Sequence, residues 1–271
     1  MAAVMSAAAL RSLHRPGEPL LLPNVWDAAS ARLVEAAGFP AVATSSAAVA
    51  DVLGYADHEV TPVGEMLDAV ARIVRAVPVP VTADLERGYA LPPAELVERI
   101  AAAGAVGCNL EDSDPRTGTL IDPGRQSEFL AAVREAARDR DIDLVVNARI
   151  DTYLRGGGTP GERLAETVRR ARRYLDAGVD CVYPIGVADR DAVGELVARI
   201  DGPVNVLYPA LPPTTSIAEL AALGVARISF GGRLYRASQP PLLAALAAIR
   251  DGGVPFPPDA AREAGSGYPG S

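Results

Sequence analysis

Residues 79–112, VPVTADLERGYALPPAELVERIAAAGAVGCNLED, decide the fold. A short apolar run ends in acidic residues, a helix pattern follows, a glycine stops it, and a second apolar run again ends in acidic residues. The same theme recurs on both sides. Strand candidates are LLLPNVWD (20–27), AVATSS (41–46), VPVTADLE (79–86), VGCNLED (106–112), LVVNARID (144–151), CVYPIG (181–186), VNVLYP (204–209) and ARISFGG (226–232). Amphipathic Ala/Leu/Arg/Glu segments such as ASARLVEAAG, RQSEFLAAVREAARD and GERLAETVRRARRYLDAG separate them.

The runs are near-continuously apolar, as parallel strands buried on both faces require. Eight strand–helix units in 271 residues predict an α/β chain folded as one (β/α)8 TIM barrel over 1–251. An open, doubly wound sheet is the alternative, but no GxGxxG follows the first run and the even spacing favours closure. The tail 252–271, GGVPFPPDAAREAGSGYPGS, is expected to be disordered or loosely packed. The segment RLYRASQPPLLAALAAIRD (233–251) reads as a helix broken at Gln-Pro-Pro, whose apolar second half can pack on a partner subunit or on its own barrel.

Composition narrows the chemistry. All 26 basic residues are arginine, against 34 acidic ones, for a net charge of −8. Without lysine there is no Schiff-base aldolase, no pyridoxal enzyme and no Walker-type phosphate loop. Carbonyl chemistry must then use a metal or hydrogen bonds as the electron sink. The acidic balance argues against nucleic acid and anionic lipid as partners. Cys108 and Cys181 sit inside apolar runs and read as core residues. No run approaches the ~20 apolar residues of a membrane span, so a cytoplasmic protein is expected.

In a barrel the active site forms at the C-terminal ends of the strands. Those ends carry Asn24, Asp27, Ser45, Ser46, Asp84, Glu86, Asn109, Glu111, Asp112, Asn147, Arg149, Asp151, Asn205 and Ser229. Residues i and i+2 of a strand share a face, which aligns Asp84 with Glu86, Asn109 with Glu111, and Asn147 with Arg149. Asp84, Glu86 and Glu111 thus converge, and a cation would offset their charge. Oxygen-only ligands select Mg²⁺, with Mn²⁺ the alternative, over Zn²⁺. The competing use of these groups is helix capping or pairing with rim arginines. Arg149 is the fork for a substrate carboxylate, or else the partner of Asp151 or Glu111. Ser45 and Ser46 either hold an anion or cap a helix. Asp57 and His58 lie in a loop, GYADHEVT, after the second strand.

Six collinear segments, LLPNVWDAASARLVEAAGF, ATSSAAVADVLGYAD, PVTADLERGYA, GCNLEDS, NARIDTYL and RISFGGRLYRA, resemble the phosphoenolpyruvate mutase/isocitrate lyase superfamily from about Leu21 to Arg236. The resemblance implies a Mg²⁺-dependent barrel, a homodimer or homotetramer exchanging a terminal helix, and C–C or P–C bond chemistry on 2-oxo and 2-hydroxy acids through an enolate. By position it makes Asp84 and Glu86 metal ligands, Glu86 standing for an aspartate, and Glu111 a metal support acting through water. It places Asp57 beside metal and substrate, Arg149 on the substrate carboxylate, and Ser45, Ser46 and Ala47 around the oxo-acid end. Asn205 falls at a looser, substrate-contact position.

One departure bears on the reaction. The loop after Glu111, DSDPRTGTLIDP, has neither the lysine nor the cysteine that superfamily lyases and mutases carry there, and Arg116 is its one cation. The expected activity is a carbon–carbon lyase acting on a small 2-oxo or 2-hydroxy dicarboxylate. The alternatives are P–C chemistry on a phosphonate and a catalytically silent oxo-acid-binding barrel.

Overall fold

A computed structural model of the chain describes residues 6–208 and 215–256. Its strands are β1 (Leu20–Leu22), β2 (Asn24–Val25), β3 (Val42–Thr44), β4 (Val81–Asp84), β5 (Gly107–Glu111), β6 (Val145–Ile150), β7 (Cys181–Pro184), β8 (Asn205–Leu207) and β9 (Arg227–Ser229). All pair in parallel, as β2-β3-β4-β5-β6-β7 and as β1-β9-β8. The expected first strand, 20–27, is broken at Pro23, which has no N–H for a ladder. Its halves β1 and β2 pair outward to β9 and β3 respectively, and a Val182–Val204 bridge joins β7 to β8. The eight strand positions therefore close into the (β/α)8 barrel.

The helices are α1 (Ala7–Ser12), α2 (Ala28–Ala36), α3 (Ser46–Leu53), α4 (Val63–Ala76), α5 (Pro93–Ala103), α6 (Pro123–Asp139), α7 (Thr152–Arg155), α8 (Pro160–Asp176), α9 (Arg190–Arg199), α10 (Ile217–Ala222) and α11 (Arg233–Arg250). Their starts follow from sequence. Asp27 with Ser30, Thr159 with Glu162 and Ser216 with Glu219 form capping boxes at α2, α8 and α10. The apolar faces of α4, α5, α6, α8 and α9 pack on the strands in one continuous core. Short α1 plugs the floor of the barrel, where Ala7 and Leu10 meet Leu20, Leu22, Ala41, Ala43 and Val145. Gly107 makes that plug possible, since a Cβ there would come 2.9 Å from Leu10 Cδ2.

Helix α11 differs from expectation. It runs unbroken through Pro240 and Pro241, which remove the donors for the Arg236 and Ala237 carbonyls. Both residues are exposed, so water can satisfy those carbonyls. No residue of α11 is buried, and Leu242, Leu243, Leu246 and Ile249 stand 52–63% exposed. The loosely packed tail expected over 252–271 lies outside the described residues from 257 onward. Among the described residues no helix is long and apolar enough to cross a membrane. Cys108 and Cys181 are free and buried.

Candidate active site

The site is assembled from the upper ends of β3 to β7. Thr44 Oγ1 accepts the backbone N–H of Asp84 at 2.9 Å and fixes the end of β4. Ser45 caps α3 without a side-chain bond, and Ser46 opens the helix. Ser46 donates to Asp84 Oδ2 twice, from its N–H at 3.2 Å and its hydroxyl at 3.0 Å. Ala47 follows in the first turn, half-buried. Asp84 Oδ1 is sealed from solvent and has no partner.

Glu86 arrives by a different route from the one its spacing implies. Strand β4 stops at Asp84, and Glu86 adopts a left-handed φ of 51°, so the i, i+2 rule does not operate there. It is nevertheless buried close to Asp84 and Asp57. Its Oε2 accepts the Glu59 N–H at 2.9 Å, and its Oε1 accepts the Tyr89 hydroxyl at 3.3 Å. Burial, aided by the Asp57 charge, pushes the Glu86 carboxyl up to about 8. Asp57 Oδ1 is a second sealed carboxylate oxygen without a partner. His58 is exposed and touches none of this.

Glu111 and Arg149 face each other from paired positions of β5 and β6. The ion pair measures 2.5 Å, and Arg149 also grips Asp151 with Nε at 2.7 Å and Nη2 at 3.1 Å. Both uses weighed for Arg149 as a structural partner are thus realised together. Burial pushes the Glu111 carboxyl up while the adjacent guanidinium opposes it. Asp151 is held further by the Ser113 hydroxyl at 2.6 Å. Asp112 turns away from the mouth. It accepts the Asp151 N–H at 2.8 Å, Arg170 at 2.9 Å and the Tyr174 hydroxyl at 2.8 Å, anchoring α8 to the rim. Arg116 is largely exposed beside Asp114.

Beneath these carboxylates the barrel interior is polar. Arg227, fully buried, reaches from β9 to Asn109 Oδ1 at 3.2 Å and to Ser229 Oγ at 3.2 Å. Asn147 donates to the same Asn109 oxygen at 2.8 Å, and Asn205 donates to Ser229 at 3.0 Å. Asn205 therefore sits in this layer, wholly buried, with Oδ1 unpartnered. Asn24 is spent on the backbone, accepting the N–H groups of Phe230 and Gly231 and donating to the Thr44 carbonyl.

Comparison with known proteins gives this arrangement a lineage. The family model for phosphoenolpyruvate phosphomutase matches residues 10–250. The chain belongs to the phosphoenolpyruvate mutase/isocitrate lyase superfamily. A Burkholderia cenocepacia protein provisionally assigned as a phosphonomutase is 43% identical, with a TM-score of 0.84 over 89% of this chain and 99% of that one. The oxaloacetate decarboxylase of Rhodopseudomonas palustris is 30% identical over 256 residues, 91% of this chain and 86% of the relative. The superfamily member 2,3-dimethylmalate lyase is 29% identical, with a TM-score of 0.80 over 93% and 88% of the two chains.

The superfamily implies a divalent metal, and the site's own atoms test the fit. Among the described residues no three His, Cys, Asp or Glu side chains form a ready-made cage. The unpartnered oxygens of Asp57 and Asp84 are what a hard cation takes when it keeps most of its water. Glu86 is already committed to Glu59 and Tyr89, and Glu111 to Arg149. The unpartnered Asp84 and Asp57 oxygens are compatible with a hydrated cation in this mouth.

Some residues of this rim and of the layer beneath it are not marked by the strand-end pattern. Glu59, Tyr183 and Arg227 lie outside it, while Asp151 is a strand-end residue and an expected partner of Arg149. For Arg227 the signal was a charge inside the apolar run ARIS, and for Tyr183 a phenol two places beyond Cys181 on the same face. Nothing in the sequence marked Glu59, whose role depends on a folded loop.

Proposed function

We propose that the chain is a Mg²⁺-dependent lyase that cleaves a C–C bond of a small 2-oxo or 2-hydroxy dicarboxylic acid. One observation carries the reading: unpartnered carboxylate oxygens of Asp84 and Asp57 stand in the same mouth as a half-buried guanidinium, Arg149. That pairing suits a substrate with a polarisable oxygen at one end and a carboxylate at the other. The bound cation supplies Lewis-acid polarisation of the carbonyl or hydroxyl oxygen.

The chain's own groups do the rest. Ser46 orients Asp84, and the Ser45–Ser46–Ala47 turn cradles the oxo-acid end. Arg149 receives a carboxylate and disperses the charge left when the C–C bond breaks. Glu86, held by the Glu59 N–H and the Tyr89 hydroxyl, completes the acidic wall around the cation. Asn205 supports the mouth from below through Ser229.

The test is a screen of purified protein with Mg²⁺ against oxaloacetate, isocitrate, 2-methylisocitrate, dimethylmalate and phosphonopyruvate, following pyruvate or glyoxylate. Release that vanishes in Asp84→Ala supports the lyase. Mg²⁺-dependent stabilisation by oxo acids without turnover supports a binding barrel instead. P–C chemistry is the second reading, favoured by the likeness to the provisional phosphonomutase. Turnover of phosphonopyruvate alone would establish it. A homodimer or homotetramer is part of the proposal, because the unburied apolar side chains of α11 need a cover.

A further inference from the structure

The barrel mouth holds one more group that the chemistry above leaves idle. Tyr183 pairs in register with Arg149 across the β6–β7 ladder, so both side chains leave the sheet on the same face, into the lumen. Only 4% of Tyr183 is exposed, and its hydroxyl makes no hydrogen bond among the described residues. Nor is that oxygen among the sealed, unpaired side-chain atoms, so the small surface Tyr183 keeps includes its hydroxyl. The charges acting on it are those of Arg149, Asp84, Arg227 and Asp151, which are the charges of the site. A donor left unpaired at the mouth of the site marks a place where a ligand completes the bonding.

Arg149 explains why a second donor is needed. Each of its three nitrogens already serves Glu111 or Asp151, so its fork is partly neutralised. A carboxylate docking there needs more than what remains. The strand order β4, β5, β6, β7 puts Asp84, Glu111, Arg149 and Tyr183 in sequence around the rim. Tyr183 thus lies on the side of Arg149 remote from Asp84.

We propose that Tyr183 is a substrate-binding, specificity-determining residue whose hydroxyl donates to the far carboxylate of a dicarboxylic acid held beside Arg149. The inference rests on the oxo-acid lyase reading and narrows it. A substrate whose 2-oxygen is held on the Asp84 side, where a bound cation would take it, spans the mouth and needs a second carboxylate to reach Tyr183. Burial pushes the phenol up, so the group stays a neutral donor across the working range and does not compete as an acid.

Malate and lactate, which share a 2-hydroxy acid and differ by one carboxylate, separate the outcomes. With Mg²⁺ present, calorimetric titration is expected to show malate binding the wild-type protein well ahead of lactate. Tyr183→Phe keeps the ring and should weaken malate about 10- to 100-fold, leave lactate within a factor of about two, and leave Tm unchanged. For any dicarboxylate turned over in the screen, KM should rise and kcat hold. Unchanged malate affinity in the variant overturns the role of Tyr183 while leaving the lyase reading intact. Equal losses for both acids with a lowered Tm assign the residue to packing and also overturn it. If neither acid binds the wild type, the oxo-acid reading fails and takes this inference with it.

Discussion

Glu59 and Glu86 hold each other's loops. The Glu86 carboxylate accepts the Glu59 N–H at 2.9 Å, and the Glu59 carboxylate accepts the N–H groups of Arg87 at 3.1 Å and Tyr89 at 2.6 Å. Both loops are strained, with left-handed φ at His58, Glu59, Glu86, Tyr89 and Ala90. Glu59→Ala should lower stability by about 1–3 kcal/mol, because it strands two N–H groups. Glu59→Gln keeps an acceptor and should lose less. Urea unfolding of the two variants checks the order.

Asp84 carries the metal proposal most directly. Asp84→Asn keeps an acceptor for Ser46 and removes the charge. It should cost about 10²-fold or more in activity and abolish the Mg²⁺-dependent rise in Tm, while the metal-free Tm stays close to wild type. A Mg²⁺ response surviving in this variant would relocate the cation.

Arg149→Met leaves Glu111 and Asp151 buried without their partner. The expected loss is about 3–5 kcal/mol. Adding Glu111→Gln should recover part of it, since one of the two stranded charges is then gone. Thermal denaturation of the single and double variants gives the comparison.

His14 offers a pH test away from the site. It is buried beside the floor of the barrel, and burial, with the Arg227 charge adding to it, pushes it down to about 4. The unfolded chain binds this proton near pH 6.5, so stability is present above that value and is lost as pH falls from about 6.5 toward 4, by roughly 2–3 kcal/mol. His14→Gln should flatten that limb of the stability–pH curve.

The exposed leucines of α11 predict association. Sedimentation of the wild type should give at least a dimer, and Leu243→Glu with Leu246→Glu should shift it toward monomer. A monomeric wild type at micromolar concentration would remove α11 as an exchanged element.

The barrel was legible because its determinants are local: apolar runs, capping residues and glycine stops recur with even spacing. Asp84, Glu111 and Arg149 were legible for the same reason, since strand ends point into a known place. Glu86 reached the expected neighbourhood although its strand had ended, through a left-handed turn that no alternation rule describes. Asp112 looked like a site residue and proved to anchor a helix, because its partners Arg170 and Tyr174 lie 58 and 62 positions away. The break at Pro23 follows from the missing N–H of proline, a feature the sequence shows directly. The continuity of α11 through two prolines depended on exposure, which only the folded chain defines.

The polar layer under the site also bears on how the chain reaches its native state. Arg227, Asn109, Asn147, Asn205 and Ser229 come from β5, β6, β8 and β9, and the Arg227 guanidinium links the Asn109–Asn147 pair to the Ser229–Asn205 pair. A fragment ending after β6 would leave Asn109 without Arg227, and a fragment beginning at β7 would bury Arg227 with no acceptor across the lumen. Each half is expected to be less stable alone than within the closed barrel. Closure of the barrel therefore joins the two halves through this layer, and split halves of this chain should gain structure when mixed.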